Sequence, residues 1–170
     1  MVSNPELAIE QLSLRAGAAL KERNILLATA ESCTGGWVAQ AVTSVPGSSA
    51  WFERGFVTYT DIAKQEMLAV STDTLAASGA VSEDTVRAMA EGALRHSHAQ
   101  VSLAVSGIAG PAGGTQDKPV GCICLAWAGL GKVTLSQTRY FSGDRTMVRQ
   151  LAVLAALQGL LDFLSESPSA

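Results

Sequence analysis

The chain has 170 residues, of which 48% are hydrophobic and 16% are charged. That length predicts one compact unit, and that composition excludes a disordered chain, a repeat protein and a fibre. Its 12 Lys and Arg residues against 15 Asp and Glu give a net charge of −3, and the basic residues are scattered. Proteins that bind nucleic acid or an anionic membrane gather basic residues on one face, so neither partner is expected here. A small molecule is the expected partner.

The three cysteines, Cys33, Cys122 and Cys124, are an odd and sparse set. They indicate a reducing compartment rather than a disulfide framework. The first ten residues lack the basic start and apolar run of a signal peptide, and the apolar stretches are interrupted before the ~20 residues that span a bilayer. We therefore expect a cytoplasmic protein.

The residue patterns, taken in chain order, predict alternating helices and strands. A first helix begins after Asn4 as its N-cap and runs to Arg23. The apolar segment 25–30 reads as a strand covered on both faces, and a tight turn at 31–36 leads into a helix over 37–42.

The rest of the chain continues the same alternation. The predicted elements are a strand at 54–59, helices at 62–68, 72–77 and 82–96, strands at 101–106, 120–128 and 132–141, and a helix at 145–164. The strands at 120–128 and 132–141 are expected to form an antiparallel hairpin. The pattern predicts a three-layer α/β/α sandwich with a mixed sheet, as a single domain over residues 1–170 with about 5–165 ordered.

Polar loops follow three of these elements, where an α/β fold binds its ligands. In the loop 31–36 a carboxylate and a hydroxyl precede two glycines, although Ser32 or Thr34 could equally be a helix cap. The loop 107–114 holds four glycines. It matches neither the phosphate-binding P-loop nor the dinucleotide fingerprint, so it is either a backbone cradle or an ordinary cluster of turns.

The third polar loop, 142–145, precedes the final helix. Arg145 could bind a phosphate or a carboxylate there. Alternatively Asp144 caps the helix and Arg145 is solvated.

Ser32 is a poor nucleophile unless another group removes its proton. His96 and His98 fall at the end of a polar helix, where solvent exposure is expected. Lys64 follows a core strand, five residues beyond Tyr59, and a lysine whose pKa is lowered can serve as the base. The alternative is a solvated Lys64 and a Tyr59 on an edge strand.

No metal site is expected. The pairs His96-x-His98 and Cys122-x-Cys124 lack the spacing of zinc ligands. The two cysteines share one face of a strand and fit a core.

Seven motifs together resemble the CinA C-terminal domain family, and the resemblance covers nearly the whole chain. They are 30–36 (AESCTGG), 46–52 (PGSSAWF), 55–59 (GFVTY) with Lys64, 79–83 (GAVSE), 106–111 (SGIAGP) with Gly113 and Gly114, 118–121 (KPVG) and 141–145 (FSGDR). Family members include nicotinamide-nucleotide amidohydrolases, which convert nicotinamide mononucleotide to nicotinate mononucleotide and ammonia.

The resemblance implies an amidohydrolase without a cofactor. Ser32 would be the nucleophile, Lys64 the general base and Tyr59 a proton relay or orienting group. The tetrahedral oxyanion would be stabilised by N–H groups of the turn at Thr34, Gly35 and Gly36. The other implied substrate-binding residues are Glu31, Ser49, Ser106, Gly107 and Arg145.

Two positions depart from the family pattern. Asp61 stands where Asn is usual, and pairing with Lys64 would raise the pKa that a base needs lowered. Ala112 replaces an acidic residue in the glycine-rich loop. A non-catalytic nucleotide-binding or partner-binding domain is therefore the alternative function.

A homodimer or higher homo-oligomer is expected if Trp37, Trp51 and Phe52 form an exposed patch.

Overall fold

Five strands form one mixed sheet in a computed structural model that describes residues 4–166. The strand order is β2-β1-β3-β4-β5. The elements are α1 (Pro5–Arg23), β1 (Leu27–Glu31), α2 (Trp37–Thr43), a short 3₁₀ helix (Ser48–Ala50), β2 (Phe52–Val57), α3 (Asp61–Leu68), α4 (Thr72–Ser78), α5 (Glu83–Arg95), β3 (Val101–Gly107), β4 (Cys122–Gly129), β5 (Leu135–Tyr140) and α6 (Arg145–Ser165).

The sheet is parallel on one side and antiparallel on the other. β1 pairs in parallel with both β2 and β3, whereas β4 is antiparallel to β3 and to β5. The predicted hairpin and mixed sheet are confirmed. Because β1, β2 and β3 run the same way, the loops after Glu31, Val57 and Gly107 leave the sheet at one edge.

Alternate strand residues point into two separate cores, one on each face of the sheet. The larger core joins α1, α2 and α6 to Leu27, Leu103, Val105, Ile123, Leu125 and Trp127. The smaller core joins α3 and α5 to the strand residues that point to the opposite face of the sheet, which are Ala28, Ala30, Ala104, Cys124, Ala126 and Ala128. Helices thus cover both faces, and the predicted three-layer α/β/α sandwich is confirmed.

Polar side chains cap the helices at the predicted places. The Asn4 side chain accepts from the N–H of Glu6 at 3.0 Å, and Asp144 accepts from Met147 at 2.8 Å. The capping interpretation of Asp144 is therefore correct. This cap fixes the start of α6 and with it the position of Arg145, the first residue of that helix.

Within residues 4–166, α6 is the one helix whose length and composition would suffice to cross a membrane. Its apolar residues pack instead against α1 and the sheet. The buried ones are Val148, Ala152, Val153, Ala156, Leu157, Leu160, Phe163 and Leu164. Core packing explains its apolar composition.

The expected aromatic patch is wrong. Trp51 is only 3% exposed, and its indole packs on Gly17 of α1 so closely that a Cβ there would lie 2.6 Å from the ring. Trp37 and Phe52 are partly buried against the same core. Because Gly17 has no side chain, the large indole ring fits against α1. Burying these apolar rings is more favourable than exposing them to water.

Candidate active site

A cavity of about 210 Å³ lies at the edge of the sheet where the loops after β1, β2 and β3 meet. Its position follows from the topology, because the carboxyl ends of parallel strands converge there. The lining residues are Ser32, Cys33, Tyr59, Asp61, Lys64, Ala80, Val81, Ser106, Gly107, Ala109 and Arg145.

Ser32 follows directly after β1. Its N–H donates to the carbonyl of Val105 at 2.9 Å, which extends the β1–β3 pairing by one residue. The side chain is 8% exposed. The nucleophile candidate is thus anchored through its backbone, with its hydroxyl at the cavity.

Lys64 points inward from α3. Thr60 caps that helix, and the side chain of Lys64 is 1% exposed. Its Nζ lies 3.2 Å from Ser32 Oγ and donates to the carbonyl of Thr58 at 3.0 Å. The solvated interpretation of Lys64 is therefore wrong, and the structure brings together the two residues that the sequence paired.

Burial lowers the pKa of Lys64 from its ordinary value of 10.5, because the charged ammonium is poorly solvated there. Asp61 and, after it, Cys33 act in the opposite direction. No ion pair within 4.0 Å joins Asp61 to Lys64 in the part of the chain that the structure describes. Desolvation outweighs the acid's charge, so the pKa of Lys64 is lowered even with Asp61 present.

Tyr59 and Arg145 form the mouth of the cavity. Tyr59 is 56% exposed, and its hydroxyl accepts from Arg145 Nη2 at 2.9 Å. Arg145 Nη1 donates to the carbonyl of Gly110 at 2.8 Å. Across residues 4–166 the Tyr59 hydroxyl has no direct hydrogen bond to Ser32 or Lys64. A proton relay through Tyr59 would therefore need a bridging molecule or a change of its side-chain rotamer about the Cα–Cβ bond.

Glu31 is fully buried behind the nucleophile. Its carboxylate accepts from Thr34 Oγ1 at 2.7 Å and from the N–H groups of Val38 and Ala39 at 2.9 and 2.8 Å. Glu31 thereby caps α2, the role that the sequence offered to Ser32 or Thr34. Both the Glu31 carboxylate and the Thr34 hydroxyl are buried and already paired with each other, which argues against the expected contact of either group with a substrate.

The turn after Ser32 depends on two left-handed glycines. Gly35 has φ +61° and Gly36 has φ +94°, where side chains are disfavoured. The Gly35 N–H donates to the Ser32 carbonyl at 3.0 Å, so it is already used. Over the described range 4–166, the N–H groups of Cys33, Thr34 and Gly36 have no acceptor. Of these three residues Cys33 lines the cavity that contains Ser32, whereas Thr34 and Gly36 line a separate, more open pocket.

Arg149 also holds this loop, a role that the sequence did not predict. Its Nε donates to the Cys33 carbonyl at 3.1 Å and its Nη2 to the Thr34 carbonyl at 2.9 Å. Its guanidinium carbon lies 5.3 Å from the Trp37 ring centroid. The available signal was the spacing of four residues from Arg145 on α6, which puts both on one helix face.

Ser106 and Gly107 line the cavity as expected, but Ser106 is 1% exposed and donates to the Ala80 carbonyl at 2.7 Å. It shapes the wall through that bond. Gly107 leaves no room for a side chain, since a Cβ would lie 2.8 Å from the Cys122 carbonyl oxygen.

The structure does not bring Ser49 to the cavity of its own chain. Ser49 is exposed in the short 3₁₀ helix that precedes β2, whereas the cavity lies beyond the other end of that strand. The expectation that Ser49 lines the same site is therefore wrong for a single chain.

No group of three or more His, Cys, Asp or Glu side chains within residues 4–166 is arranged to hold a metal ion.

Fold and site together define an α/β domain with a serine–lysine pair in a cavity at the sheet edge. The chain belongs to the CinA C-terminal domain family, which matches residues 9–164. It is 52% identical over 150 residues to the nicotinamide-nucleotide amidohydrolase PncC of Escherichia coli strain K12, covering 88% of this chain and 91% of that protein. It is 49% identical to the Pseudomonas putida protein of the same name, covering 93% and 98%.

A solved structure has the same fold. The competence/damage inducible protein CihA from Agrobacterium tumefaciens superposes with a TM-score of 0.90 at 45% identity, covering 94% of this chain and 96% of that one.

Proposed function

We propose that this protein hydrolyses the carboxamide of a nicotinamide nucleotide to the carboxylate and ammonia. The observation that carries the proposal is the 3.2 Å separation between Lys64 Nζ and Ser32 Oγ inside the cavity. The names of relatives about 50% identical over most of the chain support the substrate class.

Lys64 is the general base of the proposed mechanism. As a neutral amine it has two N–H bonds and one lone pair. Donation to the Thr58 carbonyl fixes the orientation of the nitrogen and leaves the lone pair free for the proton of Ser32. Burial favours that neutral form, which is the condition for a lysine to act as a base near neutral pH.

Acyl transfer then proceeds in two steps. Ser32 Oγ attacks the carboxamide carbon while its proton passes to Lys64, and the tetrahedral oxyanion accepts hydrogen bonds from free N–H groups of the loop that follows Ser32. Lys64 returns the proton to the leaving nitrogen, ammonia departs, and a nicotinoyl ester remains on Ser32. Water, deprotonated by Lys64, cleaves the ester.

Arg145 is placed to bind the anionic end of the nucleotide. Its guanidinium spans Tyr59 and Gly110 at the cavity mouth, and phosphate oxygens could replace either partner. Tyr59 orients Arg145 in this proposal.

The direct test is ammonia release from nicotinamide mononucleotide by the purified protein. We expect Ser32→Ala and Lys64→Met each to lower kcat by about a thousandfold or more, the scale of losing a nucleophile or its base. Lys21→Met, an exposed lysine at the end of α1, is the matched control and should keep full activity. Saturable binding of the nucleotide without any product would instead identify a nucleotide-binding domain, and full activity of Ser32→Ala would exclude this mechanism.

We also propose a cytoplasmic protein that acts as a homo-oligomer on a small molecule. The three cysteines are free and buried, which suits a reducing compartment.

Apolar surface at and beyond the edge strand β2 suits contact with a second copy of the chain, and it is exposed by Val57, Tyr59 and Ile62. Sedimentation of the purified protein measures this, and a monomer at all concentrations would contradict it.

A further inference from the structure

Asp61 brings an unpaired negative charge to the cavity. It is the first residue of α3, it is exposed, and it lines the same cavity as Ser32, Lys64 and Arg145. Within residues 4–166 its carboxylate has no ion pair within 4.0 Å. Among the described lining residues it is the one carboxylic acid.

The two cationic side chains of the cavity do not neutralise Asp61. Arg145 directs its guanidinium to Tyr59 and to the Gly110 carbonyl. Lys64 directs its Nζ to Ser32 and to the Thr58 carbonyl. With Lys64 in its neutral form, the cavity has a cation at its mouth and a free anion beside the reacting pair.

On the basis of the proposed function, we propose that Asp61 determines specificity by attracting a positively charged pyridinium ring. In a nicotinamide nucleotide the ring nitrogen is bonded to ribose and carries a permanent positive charge, whereas free nicotinamide is neutral. An unpaired carboxylate that lines the cavity attracts the first by its charge and not the second. The substrate class is therefore N-substituted pyridinium carboxamides.

A purely structural role for Asp61 makes a different prediction. An acidic residue in the first turn stabilises a helix by favourable interaction with its positive end. Asp73 occupies the first turn of α4 in the same way but lies outside the cavity. Asp73→Asn thus removes the same charge from a neighbouring helix and is the matched control.

The test measures binding without turnover, in a Ser32→Ala background. The probes are 1-methylnicotinamide, which is cationic, and nicotinamide, which is neutral and of similar size. We expect Asp61→Asn to weaken binding of the cation about threefold to tenfold and binding of nicotinamide less than twofold. Asp61→Glu should keep the preference for the cation, and Asp73→Asn should change neither affinity.

Three results would overturn the proposal. They are equal weakening of both probes by Asp61→Asn, an equal effect of Asp73→Asn, and a protein with normal thermal unfolding that binds neither probe. This experiment does not depend on hydrolysis, so an inactive wild-type protein would refute the proposed function alone.

With Ser32 intact, kinetics supply an independent readout. Asp61→Asn should raise KM for nicotinamide mononucleotide by the same factor as the loss of cation binding. The kcat should not fall, because removing the acid's charge favours the neutral form of Lys64. A fall in kcat at unchanged KM would contradict a specificity role.

Discussion

The guanidinium of Arg149 lies over the ring of Trp37, 5.3 Å from its centroid, while it donates to the carbonyls of the nucleophile loop. Trp37 begins α2 and Arg149 lies in α6, so this contact joins two helices across the loop that carries Ser32. The loop is thereby held by a side chain that is not among those lining the catalytic cavity.

Arg149→Lys should lower kcat about tenfold to a hundredfold and leave KM nearly unchanged. A lysine cannot reach two carbonyls with one planar group, so the Ser32 hydroxyl would lose its fixed geometry. Steady-state kinetics with nicotinamide mononucleotide measure this. Arg139→Lys is the matched control, because Arg139 also lies near an aromatic ring, that of Phe141 at 5.8 Å, but on β5. Equal losses in both variants would show that the effect is general.

Glu31→Gln should lower the free energy of unfolding by about 2 kcal/mol, the scale of hydrogen bonds to a buried charged group. The glutamine amide offers one acceptor oxygen in place of two, so an N–H of Val38 or Ala39 would face another donor. Urea unfolding measures the change. Thr34→Val, which removes one donor to the same carboxylate, should cost less. An undiminished stability of Glu31→Gln would contradict the capping role.

The pH dependence of kcat/KM should show a limb that rises with pH and has its midpoint below 10.5, the ordinary pKa of a lysine. The sign follows from the chemistry, since only neutral Lys64 accepts the proton of Ser32 and burial lowers its pKa. Asp61→Asn should move this limb to lower pH, because Asp61 raises the same pKa. A limb that does not move would show that another group controls the profile.

Lys64→Met should abolish turnover and yet stabilise the fold at neutral pH. Because the folded-state pKa of Lys64 is lowered, the unfolded chain binds the proton more readily, and wild-type stability falls as pH falls from 10.5 toward the folded pKa. The stability advantage of the variant should therefore shrink as pH is raised toward 10.5. Urea unfolding of both proteins at neutral and alkaline pH measures the gap, and a gap independent of pH would contradict a titrating, buried Lys64.

Cys33 should resist alkylation although it adjoins the nucleophile. Burial raises its pKa to about 12, and burial raises that of Cys124 to about 11, so neither forms an appreciable thiolate at neutral pH. Mass spectrometry after iodoacetamide treatment should find no adduct on the native protein and three on the denatured protein. Rapid labelling of Cys33 in the native state would refute this.

Local patterns in the sequence predicted the elements well. Apolar runs and capping residues located the strands and helices, and α1 begins and ends at the predicted residues. Those signals are local. The proximity of Ser32 and Lys64 was instead predicted by the resemblance to the CinA C-terminal domain family, since spacing alone left a solvated Lys64 as the alternative.

Side-chain partners were harder to predict. Glu31 was expected at the substrate, but the two residues that it caps lie seven and eight positions later, on a helix whose approach depends on the whole core. Arg149 contacts residues about 115 positions earlier in the chain. Ser49 was misplaced because its motif precedes a strand, and the strand's direction puts it at the wrong end of the sheet.

The alanines beneath α5 have a consequence for one wall of the cavity. Ala28, Ala104 and Ala126 are small and let α5 pack close to the sheet. Gly92 lets the same helix pack close to α3, because a Cβ at Gly92 would lie 2.9 Å from the Leu68 carbonyl carbon. The segment that leads into α5 carries Ala80 and Val81, one wall of the cavity. A bulkier residue at Ala28, Ala104 or Ala126 would overpack this layer, typically at a cost of about 1–3 kcal/mol. The close contact of α5 with the sheet therefore fixes the position of a cavity wall that itself contributes no group to the proposed chemistry.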